Sequence, residues 1–145
     1  MPITYQIDHE RRMVIARGYG TFTDDDVFNY QRAAWSGRDV VGYDELVDMS
    51  YVSEIELPSV QLVQDLASVA AHMDLQSAPT RFAIVAPGDL AFGLGRMFQT
   101  YRECEERSIK DVKVFRNFGE ALAFLKIKEA LPLPPLPPGI ATEEQ

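Results

Sequence analysis

The residue types that could do chemistry in this chain are few and scattered. Asp24-Asp25-Asp26 sets three carboxylates in a row, oxygen ligands of the kind a divalent cation takes. Gly88-Asp89-Leu90-Ala91-Phe92-Gly93 has the glycine spacing of a phosphate-cradling loop. His9 and His72 are the only histidines, and Cys104 is the only cysteine. Arg96 offers a forked donor for a carboxylate or phosphate.

Each candidate meets an objection in its own neighbourhood. The acidic triplet follows Thr23, so Thr23 can cap a helix, Asp26 can close a short capping box, and the carboxylates meet the positive end of the helix dipole. The glycine-spaced turn continues into Leu94-Gly95, where a nucleotide loop requires Lys and then a hydroxyl. Asp89 would also repel an anion. Glu103, Glu105 and Glu106 flank Cys104 and disfavour its thiolate. Neither histidine lies at the carboxyl end of a strand, where open α/β sheets place their sites, so both are expected as solvated surface groups. One cysteine and two separated histidines make no zinc set, and no Gly-x-Ser-x-Gly elbow is present. No catalytic residue, metal site or cofactor is expected.

The bulk properties narrow the classes further. At 145 residues the chain has the length of one domain, enough to bury roughly two-thirds of the unfolded surface. A net charge of −8 and a pI near 4.7 oppose a nucleic-acid backbone, and no Lys/Arg run offsets them. The charged start MPITYQIDHERR lacks an apolar signal segment, and no apolar run approaches the ~20 residues of a membrane span. A soluble cytoplasmic protein is expected.

The elements that must position these residues follow from periodicity. Ile3 to Asp8 and Met13 to Tyr19 read as two strands around a polar hairpin, with Gly18 and Gly20 closing the second. A helix starting at Thr23-Asp24-Asp25-Asp26 carries Val27, Tyr30, Gln31, Ala34 and Trp35 at three-four spacing. Glu45 to Met49 is a short strand, Ser50 to Leu57 a loop, and Pro58 opens a helix carrying Val60, Val63, Leu66, Ala67, Ala70 and Met73. Phe82 to Ala86 is apolar without alternation, which suits a strand covered on both faces. A long helix runs from near Asp89 to near Glu106-Arg107-Ser108. Val112 to Phe115 is a last strand, and Asn117 with Glu120 caps a last helix running to about Lys128. The order β-β-α-β-α-β-α-β-α predicts an open mixed α/β sheet of about five strands with right-handed crossovers. Residues 1–130 form one domain on this reading. Residues 131–145 form a Pro-rich arm, Leu131 to Gly139 having polyproline II character and expected to dock on its own domain or on a twin subunit.

The topology and two motifs resemble the STAS superfamily, the fold of bacterial anti-sigma-factor antagonists (SpoIIAA-like), over roughly residues 3 to 128. Asp48-Met49-Ser50-Tyr51-Val52-Ser53-Glu54-Ile55-Glu56 is similar to the antagonists' strand-end motif. Ala86 to Met97 is similar to small stand-alone bacterial STAS-like proteins. The resemblance implies the fold, and through fold similarity to the CRAL-TRIO lipid-transfer group it allows an apolar ligand. The antagonists' phosphorylated serine is not carried over, because Leu57 and Pro58 occupy the serine positions.

Together these features give a non-enzymatic regulatory or interaction module acting as a homodimer, with a carrier of a small apolar ligand as the alternative. The binding surface is expected at the carboxyl ends of the strands, on Ser50, Tyr51, Ser53, Asp89, Phe92, Gly93 and Arg96. Arg96 is expected to pair with Asp48 or Asp89. Gly93 and Gly95 are expected to admit a neighbouring element, and Phe98 and Tyr101 to face a subunit interface. No nucleic acid and no membrane span enter this reading.

Overall fold

A computed structural model describes residues 3–35, 38–56, 80–104 and 110–139, together with 61, 64, 65, 67 and 68. The strands are β1 (Ile3–Asp8), β2 (Met13–Phe22), β3 (Asp44–Ile55), β4 (Thr80–Val85) and β5 (Lys110–Phe115). The helices are α1 (Asp24–Trp35), α2 (Asp89–Glu103) and α3 (Phe118–Phe124), with a 3-10 turn at Arg38–Val40. The sheet has five strands in the order β1-β2-β3-β4-β5; β1 is antiparallel to β2 and the remaining pairs are parallel. This is the expected open mixed α/β sheet.

Strand order explains where the helices go. Each parallel step moves the same way across the sheet, so right-handed crossovers place their helices on one face. Val14, Ala16, Val47, Phe82, Ile84, Val112 and Val114 point to that face and pack with Tyr30 and Ala34 of α1, Ala67, and Phe98 of α2. Helix α3 follows the last strand, returns to the opposite face, and covers Met13, Ile15, Leu46, Ala83 and Val85 with Ala121 and Leu125. Phe82 to Val85 lacks alternation because both its faces are covered.

Local chemistry sets the element ends. Asp8 accepts from the Arg11 backbone N–H at 2.9 Å and from its guanidinium at 2.8 Å, which closes the β1–β2 turn without an Asn-Gly pair. Helix α1 has the anticipated capping box: Thr23 N–H and Oγ1 donate to Asp26 at 2.9 and 2.8 Å, and Asp26 N–H donates to Thr23 Oγ1. Asn117 caps α3 by accepting from the Glu120 N–H at 2.9 Å. That helix ends at Phe124, short of Lys128, and Lys126 takes a positive φ of 63°. Helix α2 runs to Glu103 with Cys104 as its C-cap, and the expected end at Glu106-Arg107-Ser108 lies outside the described residues.

The largest correction concerns β2 and β3. Ser50 to Ile55 is strand, not loop: β3 is a 12-residue strand whose last part pairs with Tyr19 to Phe22 of β2. Register shifts between Arg17 and Tyr19 and between Gly20 and Thr21 bend this ribbon, and Gly20 supplies the left-handed φ of 64° that the second shift uses. Pro58 and most of the anticipated helix after it lie outside the described residues. Gln61, Gln64, Asp65, Ala67 and Ser68 are helical, with Ala67 buried.

The proline-rich arm lies on the α3 side of the sheet. Leu131 and Leu133 pack against the core there, Pro134 is fully buried, and Gln6 Nε2 donates to the Pro132 carbonyl at 3.0 Å. No helix among the described residues is long and apolar enough to cross a membrane.

Candidate functional site

Two polar constellations sit on β3, one on each face of the sheet. On the arm side, Asp48 is 1% exposed. It accepts from Ser50 N–H at 3.0 Å, from Ser50 Oγ at 2.6 Å and from Arg17 Nε at 3.3 Å. Arg17 also donates to the Pro134 carbonyl at 3.2 Å, and its guanidinium lies 5.1 Å from the Tyr51 ring centre. The Asp-x-Ser segment is therefore a closed knot that fastens the arm, and the Ser50 hydroxyl is committed to Asp48.

On the helical side, Glu45 sits at the amino end of β3 beside Lys110 of β5. Lys110 Nζ is 3.0 Å from Glu45 Oε1, and both side chains are buried. Tyr30 Oη donates to Glu45 Oε2 at 2.6 Å and Trp35 Nε1 donates to the same oxygen at 3.1 Å. The ammonium stands 3.4 Å from the Trp35 ring centre, a cation–π contact. Burial first, and then the Glu45 charge, push the Tyr30 phenol well above its ordinary value. Thr80 pairs with Lys110 in register, and its Oγ1 is buried with no partner among the described residues.

From this end a cavity of about 160 Å³ runs between α1 and α2 over the sheet. Val27 and Phe28 of α1, Val47 and Ile84 of the sheet, and Leu94 and Phe98 of α2 are among the residues of its wall. Among the described lining residues, Thr23, Tyr30, Gln31, Glu45 and Glu56 carry polar groups and the rest are apolar. The wall is more exposed toward the carboxyl ends of the strands, at Thr23, Met49, Ile55 and Glu56, than at Glu45.

The expected surface residues divide into separate groups. Ser50 and Tyr51 belong to the arm knot, while Ser53 is exposed on the β2–β3 ribbon. Asp89, Phe92 and Arg96 do come together, around a residue not anticipated: Arg116. Arg116 donates to Asp89 at 2.7 Å and to the Pro87 carbonyl at 3.1 Å, and stacks 4.2 Å from the Phe92 centre. Arg96 lies 6.0 Å from the same ring. The expected pairing of Arg96 is overturned, because Arg17 holds Asp48 and Arg116 holds Asp89.

Two further expectations need correction. Phe98 is 8% exposed and meets Phe82 edge-to-face at 6.1 Å, so it faces the core and the cavity rather than a second subunit. Tyr101 is half-buried against the same core. Gly95 does admit a neighbour, since a Cβ there would lie 2.9 Å from Val114 Cγ2, but Gly93 faces open space. His9 is exposed at the surface, as expected, and its Nδ1 lies 2.7 Å from Tyr43 Oη. His72 lies outside the described residues. Tyr30, Gln31, Glu45 and Lys110 were the missed site residues; their one sequence signal is a polar group within an apolar stripe.

The comparisons agree with this architecture. A crystal structure of an uncharacterized protein from the DUF3478 family of Shewanella loihica PV-4, described as having a SpoIIAA-like fold, aligns with 85% of this chain and 93% of that chain. The TM-score is 0.53 and the identity 17%. The chain thus has a SpoIIAA-like, STAS-like fold. No protein-family model and no curated protein matches the sequence.

Proposed function

We propose that this chain is a non-enzymatic STAS-like binding module, and that its working site is the cavity between α1 and α2, which takes a small apolar ligand. The carrying observation is the cavity itself. It is concave, largely apolar, and supplied with only a few polar groups, the composition of small-molecule sites. Its volume of about 160 Å³ is close to that of an engineered apolar cavity of about 150 Å³ that holds benzene. The one carboxylate deep in the wall is already engaged by Lys110, Tyr30 and Trp35, which suits structural use better than proton transfer.

The test is a toluene titration followed by amide NMR shifts. Binding shifts resonances of Val47, Ile84 and Phe98, and Ala91→Phe, which narrows the partly exposed wall, abolishes the shifts while the protein still melts cooperatively. Unchanged spectra at saturating toluene contradict the proposal.

A second reading, the homodimeric interaction module, draws on the Arg96–Phe92–Arg116 ladder at the carboxyl ends of β4 and β5. Arginine and aromatic residues anchor interfaces. Leu90 beside the ladder is 49% exposed. A local basic surface on a chain of net charge −8 complements the acidic remainder of a second copy. Dimer mass by light scattering at micromolar concentration, lost in Arg96→Glu, supports this reading; monomer mass in the unaltered protein contradicts it.

A further inference from the structure

We propose that the arm-side groove on β1 and β2 is a recognition site for proline-rich segments of other chains, and that the arm is its tethered occupant. The inference is independent of the cavity. A polyproline II chain makes no internal backbone hydrogen bonds, so its carbonyls are free to accept from a partner. Side chains of the sheet donate to three of the arm's carbonyls. Gln6 Nε2 reaches Pro132 at 3.0 Å, Arg17 Nη1 reaches Pro134 at 3.2 Å and Thr4 Oγ1 reaches Pro135 at 3.5 Å. Thr4 and Gln6 are two apart on β1 and so share one face, and Arg17 pairs with Thr4 in register. The arm therefore runs antiparallel to β1 over a row of donors. Pro134 is fully buried, and Leu131 and Leu133 pack on the cluster that contains Met13 and Ile15.

The mode of contact sets the partner's chemistry. Proline-rich segments are bound through a preformed, extended backbone that costs little entropy to hold. Here the donors meet main-chain carbonyls, and two leucines and one proline fill the apolar ground, so the requirement on an occupant is short: Leu-x-Leu-Pro in extended form. Asp48 accepts from Arg17 Nε at 3.3 Å beneath the arm, which holds the charged donor in the groove when the arm leaves. The arm joins α3 through residues 126–130, of which Lys126, Lys128, Glu129 and Ala130 are exposed, and it belongs to no helix or strand. Its tether keeps it seated, because a linked segment is present at roughly millimolar effective concentration. A proline-rich chain in trans competes with the arm for the same donors.

Fluorescence anisotropy with a labelled synthetic peptide of residues 131–139 tests this on the full chain and on its Leu133→Asp variant, in which the buried charge releases the arm. The variant is expected to bind the peptide about tenfold more tightly than the unaltered protein, where the tethered arm competes. Adding Gln6→Leu, which removes one donor, is expected to weaken that binding about two- to tenfold. A peptide that itself carries Leu133→Asp is expected not to bind. Leu131→Asp is read in the same way if Leu133→Asp loses its cooperative melt. Absence of peptide binding in a released-arm variant that still melts cooperatively overturns the proposal and leaves the arm as packing alone. Equal binding by the unaltered protein and the variant overturns the groove as the site. Binding unmoved by Gln6→Leu overturns the part assigned to the donor row.

Discussion

The two faces of the sheet are built to opposite standards. On the arm face, Asp48, Ser50 and Arg17 satisfy one another, Pro134 closes over them, and α3 packs on the remaining apolar residues. On the helical face, the Glu45–Lys110 pair is also buried and hydrogen-bonded, but it borders a cavity, and Thr80 Oγ1 beside Lys110 is buried with no partner among the described residues. The difference teaches where to look for function. The motif that resembles a family signature, Asp48-x-Ser50, holds structure together. The opening lies on the other side of the same strand, among residues with no motif.

Breaking the buried pair should have the largest effect. Lys110→Met leaves Glu45 buried without its cation, and a loss of about 3–5 kcal/mol is expected, measured by urea unfolding. Adding Glu45→Gln should recover part of it. A loss equal to that of a surface substitution would mean that the pair is solvated, and the helical face less closed than described.

Removing residues 131–145 tests the arm face. Leu131, Leu133 and Pro134 leave the sheet, and Arg17 loses the Pro134 carbonyl. The expected loss is ~2 kcal/mol, the scale of burying one large aliphatic side chain. An unchanged denaturation midpoint would show that the arm adds nothing to the seal.

The glycines of α2 sharpen the contrast between packed and open ground on a single helix. Gly95→Ala drives a methyl into Val114 and is expected to destabilise by about 1–3 kcal/mol. Gly93→Ala meets open space and should stabilise by up to ~1 kcal/mol through helix propensity. Equal shifts in melting temperature for the two variants would place α2 differently over β5.

The pH dependence gives the smallest effect on the acid side. Hydrogen bonds from the Arg11 backbone and guanidinium hold the Asp8 carboxyl below its ordinary value of 3.8. A folded pKa below the unfolded one means stability present above pH 3.8 and lost as pH falls through the folded value. Asp8→Asn should flatten that acid limb slightly. Tyr30 acts in the other direction: its folded pKa lies above the unfolded value of 10.0, so stability declines as pH rises beyond 10.0. Tyr30→Phe should remove that alkaline decline, visible in melts taken across the alkaline range.

The fold was legible where local chemistry and pattern agree. Phe82 to Ala86 has no alternation, Thr23 and Asp26 spell a capping box, and Asn117 with Glu120 spells a cap, so β4, α1 and α3 follow from short windows. The length of β3 was not legible. Ser50, Ser53 and Glu54 carry little strand preference, and pairing with β2 beyond the Gly20 shift holds them extended. The site was less legible still. Glu45 and Lys110 are 65 residues apart and meet only through the parallel register of β3, β4 and β5. Gln31 stands out in its stripe as a polar residue, but only the packed structure shows that it lines the cavity. The leucines and prolines of the arm announce a docked polyproline segment; the Arg17–Asp48 knot beneath it has no local signature.

The central claim is that the helical face holds a ligand-sized apolar cavity while the arm face is sealed. A crystal structure determined under xenon pressure tests it directly, because dry apolar cavities of this size bind xenon. The account predicts xenon density between α1 and α2, against Val47, Ile84 and Phe98, and none beneath the arm. Crystals that diffract with α1 and α2 packed together and no xenon between them would contradict it.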